Sequence, residues 1–187
     1  MLRHMRLLTL VILCAAGAVL SIAVMPAVTA SAAGGTDDNV LAVLQKLYAA
    51  VPVAKTIGEK ARAVLVFPNI VKAGLIVGGQ YGEGALVKDG RIVGHYNSVA
   101  ASYGLQAGAQ KFGYALFLMN DKAIEYLDNS EGWEIGVGPS IVIVDEGKAK
   151  TMTTTTLRDD VYAFIFGQKG LMAGLGIQGS KITKLSK

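Results

Sequence analysis

Ser98-Val99-Ala100-Ala101-Ser102-Tyr103-Gly104-Leu105-Gln106-Ala107-Gly108-Ala109-Gln110 is the stretch on which the fold turns. Val99, Ala101, Tyr103, Leu105, Ala107 and Ala109 fall on one side of an extended chain; Ser98, Ser102, Gly104, Gln106, Gly108 and Gln110 fall on the other. A period of two held over that length belongs to a strand, because successive side chains of an extended backbone point to opposite faces. Leu171, Ala173, Leu175 and Ile177 repeat the pattern near the end of the sequence. Upstream, Lys88-Asp89-Gly90-Arg91 sets Asp-Gly between two apolar runs, the pairing that a two-residue hairpin turn favours. Most of the 23 glycines lie between Gly74 and Gly179, among short runs rich in Val, Ile, Tyr and Phe. Glycines within strands mark bulges, sharp coiling or close backbone approach, so a sheet with this many is strongly curved.

Helical spacing appears in three places. Val40, Leu44, Leu47 and Val51 recur at a period near 3.6 behind the N-cap candidates Asp37, Asp38 and Asn39. Pro52 ends that helix and opens a second one running to about Arg62, with Val53, Ile57 and Ala61 on its apolar side. Asn120 to Asn129 reads as a short helix capped by Asn120 or Asp121, with Ile124 and Leu127 facing inward. The expected fold is α+β: a glycine-rich antiparallel β-barrel core carrying about three surface helices.

Met1 to Arg6 supplies two arginines, Leu7 to Met25 is apolar, Pro26 breaks the run, and Ala30-Ser31-Ala32 gives a small-x-small pattern. This is the order of parts in a secretory signal peptide, with cleavage expected between Ala32 and Ala33. The alternative, an uncleaved anchor, stays open because the apolar run approaches a bilayer span in length. The expected division is a leader at 1–32, a flexible junction at 33–39 and one domain at 40–187, periplasmic or secreted. Cys14, the only cysteine, lies in the leader, so the mature chain is expected to have neither disulfide nor cysteine metal site. Loss of Arg3 and Arg6 with the leader lowers the net charge from +4 to +2. That balance argues against nucleic acid as a partner, which needs a strongly basic face.

No catalytic set, metal site or cofactor motif emerges. His95 is the one histidine outside the leader, and a nucleophilic arrangement would need it beside Ser98 or Ser102 with a distant Asp. Gly78-Gly79-Gln80-Tyr81-Gly82-Glu83-Gly84 runs on into Ala85, Leu86 and Val87, which is strand texture rather than the strand–loop–helix of a phosphate loop. What remains is basic clusters: Lys46, Lys55, Lys60 and Arg62 on the N-terminal helices, Lys88 and Arg91 at the hairpin, Lys148 and Lys150 beside a loop. Each is commonly a solvated face, and several together on one side would suit an anionic membrane surface.

At Ala61-Arg62-Ala63-Val64-Leu65-Val66-Phe67-Pro68, then Lys72, Gly74, Gly78-Gly79, Gly82 and Gly84, the chain resembles the SYLF family in its bacterial branch. The likeness continues through Ser102 to Gly108, Gly138-Pro139, and Gly170-Leu171-Met172-Ala173-Gly174 to Gly179. It implies a β-barrel with three packed helices and binding to acidic, phosphoinositide-like lipid headgroups, without catalysis. The matching positions for a basic N-terminal segment are Lys46, Lys55, Lys60 and Arg62. Acidic membrane lipids and envelope proteins are thus the expected partners. Actin is not, since the sequence leaves no room for the accessory domains that carry that role. The competing expectation is an envelope structural or protein-interaction domain whose lipid binding is incidental.

Overall fold

β1 (Ala63–Lys88) and β2 (Arg91–Leu118) are joined by Asp89 and Gly90 alone. Their φ values of 50° and 72° are the left-handed pair that matches the twist of a tight hairpin. A straight strand of 26 residues would extend roughly 85 Å, about twice the width of a domain this size. β1 therefore coils, and the sequence supplies the means. On the inner face of β1, Gly82 and Gly84 pass directly against the strand's own first half. A Cβ on Gly84 would overlap the Val66 carbonyl oxygen and the Phe67 ring, and one on Gly82 would overlap Asn69 and Ile70. Only glycine permits this approach.

The computed structural model describes residues 33–129, 132–144, 157–170, 177 and 179–186. The expected leader, the loop lysines Lys148 and Lys150, and most of the Leu171–Ile177 alternation lie outside the described residues. Three helices are described: α1 (Ala33–Ala50), α2 (Pro52–Gly58) and α3 (Asp121–Asn129). The described strands after β2 are β3 (Trp133–Glu134), β4 (Ile141–Val144), β5 (Val161–Gly170) and β6 (Lys181–Lys184). The sheet runs β3-β6-β2-β5-β4, with β1 on the other edge of β2.

The α+β class holds, and two details of the expected barrel are corrected. The sheet curls into a half-barrel and does not close: among the described residues no strand joins its β3 or β4 end to β1. It is also mixed, since β4 and β5 pair in parallel. A parallel pair needs a crossover of a dozen or more residues, and the chain between Val144 and Val161 is long enough to provide one.

The curled sheet has a core on each face. The inner one gathers Leu65, Phe67, Ile70, Tyr96, Tyr114 and Trp133 and is capped by α3 through Ala123 and Leu127. The outer one lies under α1 and α2, where Val40, Leu44, Leu47, Ala54 and Ile57 cover Val64, Val66, Ala85, Ala115 and Phe117. α1 is described from Ala33, so the residues expected as a junction and as N-caps are helical. Pro52 occupies the first turn of α2 as expected, behind an extended Val51. α2 stops at Gly58, short of Arg62, because the Arg62 N–H is drawn to the Leu118 carbonyl at 2.8 Å and opens β1. The alternation of Ser98–Gln110 is real, but at its described ends the polar side faces in. Ser98 and Gln110 are buried while Val99 is exposed. The Tyr114 hydroxyl donates to Ser98 Oγ at 2.7 Å, which satisfies the buried serine.

Asp160 ties three element ends together. Its carboxylate accepts from Asn120 Nδ2 at 2.7 Å and from the Ser140 N–H at 2.9 Å. Asn120 Oδ1 in turn caps α3 by accepting the Ala123 N–H at 2.9 Å. The Asn120 donor first, and the Ser140 N–H second, hold the Asp160 carboxyl below its ordinary pKa. A carboxyl depressed by folding stabilises above its unfolded pKa near 4, and that contribution fades as pH falls through the lower folded value. Asp160 is largely solvated, so its share is about 1 kcal/mol after screening. We expect Asp160→Ala to lower stability at pH 7 by about that amount and to flatten the acid limb below about pH 4 in urea unfolding. An acid limb identical to wild type would refute this assignment.

Candidate functional site

The site is built by two irregularities in the sheet. Along the β1–β2 ladder Phe67 faces Tyr114 and Ile70 faces Phe112, so β1 carries one extra residue where Pro68 and Asn69 sit. A bulge tolerates proline within a strand because no ladder bond is required there. Along β2–β5, Gly113 faces Phe166 and Lys111 faces Lys169, so β5 also carries one extra residue. Gly167, with φ at 63°, takes the left-handed turn that such a bulge needs. A one-residue insertion reverses every side chain beyond it. Phe166 stands on the helix side of the sheet, and the bulge returns Lys169 to that same side, opposite Lys111.

α1 lies over this face and leaves a cleft at its C-terminal end. The walls are Val43 and Leu47 from the helix, Val51 just after it, and Pro68 and Phe166 from the sheet, around a volume of about 520 Å³. Phe166 seats against the sheet because residue 113 is glycine: a Cβ there would collide with the Phe166 ring and stand 2.8 Å from the Pro68 carbonyl oxygen. Lys46, Lys111 and Lys169 ring the cleft, all exposed. Lys111 and Lys169 are cross-strand partners with Cβ atoms about 5 Å apart, where like charges repel. Ion pairs among the described residues join Arg62 to Asp121, His95 to Asp37 and Lys184 to Asp128, and none includes a cleft lysine. Three cations over an apolar trough, without a carboxylate partner among the described residues, is an arrangement that holds an anion attached to something apolar.

Of the basic positions singled out from sequence that lie among the described residues, Lys46 alone lines this cleft. Lys55 and Lys60 are exposed on α2 and the turn after it. Arg62 stands 3.9 Å from Asp121, with both side chains well solvated, a pair worth little. Lys88 and Arg91 flank the hairpin turn. They lie toward the other end of α1, whose Asp37 meets His95 of β2 at 3.6 Å. Ser98 is buried on the face of β2 opposite to His95, so those two side chains do not pair there. Among the described residues no group of three His, Cys, Asp or Glu is placed to hold a metal ion.

Lys111 and Lys169 escaped the sequence reading because they are distant in sequence and meet only through register. The available signal was Phe166-Gly167-Gln168-Lys169, an aromatic followed by glycine within a strand, which marks a bulge and a change of face.

Residues 99–187 match the family model described as Las17-binding protein actin regulator, the Ysc84 type. This segment is similar to the SYLF-type domain, and the match is consistent with a SYLF-domain family. The matched segment begins within β2 and includes Lys111 and Lys169. Comparison with curated proteins returned no match.

The bulge makes a direct prediction. Gly167→Val places a β-branched residue at a positive φ, which should cost about 1–3 kcal/mol and shift the bulge. We expect a lower urea midpoint together with loss of the cross-strand NOE between Lys111 and Lys169. An unchanged NOE and midpoint would show that Gly167 does not set the register.

Proposed function

We propose that this chain is a non-catalytic, exported module that binds acidic lipid headgroups at the surface of a bacterial envelope membrane. The observation that carries the reading is the Lys111–Lys169 pair, two like charges placed opposite each other and joined by Lys46 at the mouth of an apolar-walled cleft. An unliganded protein gains nothing from that repulsion, whereas an anionic headgroup turns it into three attractive contacts. Similarity to the SYLF family supports the lipid reading.

A second reading is a protein-interaction module. It draws on the description of the matched family, whose name records binding to a protein and regulation of actin. Val77, Tyr81 and Val99 also stand exposed on the outer face of the hairpin, with Tyr81 directly opposite Val99.

Sedimentation with vesicles of graded anionic lipid content separates the two. Each basic residue against an anionic surface contributes about 1 kcal/mol, so Lys111→Gln with Lys169→Gln should weaken pelleting by roughly 10–30-fold. Binding by the wild type should fall as salt rises from about 0.05 to 0.5 M, as the screening length shortens. Lys55→Gln with Lys60→Gln, outside the cleft, should change it far less. Pelleting that is equal for the wild type and the Lys111/Lys169 variant would remove the cleft from the mechanism. Absence of pelleting altogether would favour the protein-interaction reading.

A further inference from the structure

A headgroup alone does not explain the cleft. Its lysines sit at the rim, while the space below them is walled by Leu47, which is 5% exposed, with Val43, Val51 and Phe166 partly buried around it. A flat bilayer surface cannot follow a trough between a helix and a sheet. A small inorganic anion would touch the rim and leave the apolar walls in water. The volume of about 520 Å³ falls in the range of sites that enclose one small molecule, roughly 300–1,000 Å³. Above Gly167, no atom of the described residues beyond its chain neighbours lies within 4 Å of where a Cβ would stand, which leaves space beside Lys169.

We propose that the cleft holds one anionic amphiphile, its headgroup bound by Lys46, Lys111 and Lys169 and its acyl chain laid between α1 and the Phe166 wall. The inference rests on the acidic-lipid reading of the same cleft and goes further. The lipid enters the protein as a single molecule, one per chain, instead of being met only as part of a membrane surface. Burial of a chain against these walls removes apolar surface from water on both partners, and the lysines fix which end stays at the rim.

Isothermal titration calorimetry of the purified protein tests this with short-chain lysophosphatidic acid below its micellar concentration. Two half-ligands run in parallel: glycerol 3-phosphate, which has the charge without the chain, and lysophosphatidylcholine of equal chain length, which has the chain without net charge. We expect saturable 1:1 binding of lysophosphatidic acid at least tenfold tighter than either half-ligand. Val43→Gln, a change on the partly exposed side of α1, should weaken it by about tenfold with the circular dichroism spectrum unchanged. Lys169→Gln should weaken it independently of any effect on packing. Binding of glycerol 3-phosphate as tight as that of the amphiphile would overturn the chain-binding inference and leave the headgroup reading intact. So would vesicle pelleting without any binding of the soluble amphiphile. Equal binding of the zwitterionic amphiphile would overturn the headgroup role of the lysines, and with it this proposal.

Discussion

Close backbone approach inside β1 governs the molecule. Where Gly82 and Gly84 press against Asn69–Ile70 and Val66–Phe67, side chains larger than hydrogen have no room. The long hairpin coils at that contact and so presents a concave face and a convex one. The concave face becomes a core of large side chains, including Phe67 and Tyr114 with ring centroids 4.8 Å apart. The convex face is left for α1 and α2, and it is there that the cleft forms. Without the coil, neither the seat of α1 nor the trough at its end would exist.

Upon that frame, single-residue insertions decide which side chains meet. The Pro68–Asn69 bulge opens the floor of the cleft, and the Gly167 bulge carries Lys169 to the side where Lys111 stands. Sheets pair side chains by parity, so one extra residue is enough to convert two separate surface lysines into a like-charge pair. The repulsion is local and uncompensated among the described residues, unlike Lys184, which Asp128 neutralises at 2.7 Å. Lys88 and Arg91 also face each other across the hairpin without an ion pair among the described residues. It is the apolar cleft beside Lys111 and Lys169 that separates those two from the other basic positions.

Period-two alternation, the Asp-Gly turn, Pro52 and the Asn120 cap were all legible in the sequence, because each is a local rule acting over a few residues. The curvature was legible too, from glycine placement. Closure was not, since an open half-barrel and a closed barrel share the same strand chemistry and differ in which distant edges pair. Nor was the sidedness of Ser98–Gln110. Small and apolar residues outside with Ser98 and Gln110 inside invert the usual preference, and the inversion depends on Tyr114 reaching Ser98. At the site, Lys46 was visible on its helix. Lys111 and Lys169 each looked like a lone charge until register brought them together.

The account stands or falls on the Lys111–Lys169 pair being kept for a ligand and not for the fold. Urea unfolding of Lys169→Gln in low salt, without lipid, reads this most directly. Relief of the cross-strand repulsion should raise stability by about 0.2–1 kcal/mol, and the gain should shrink as added salt screens the wild-type pair. A variant less stable than wild type, or equally stable at every salt concentration, would mean that the two lysines do not repel. The cleft would then lose its claim to be a site strained in favour of an anion.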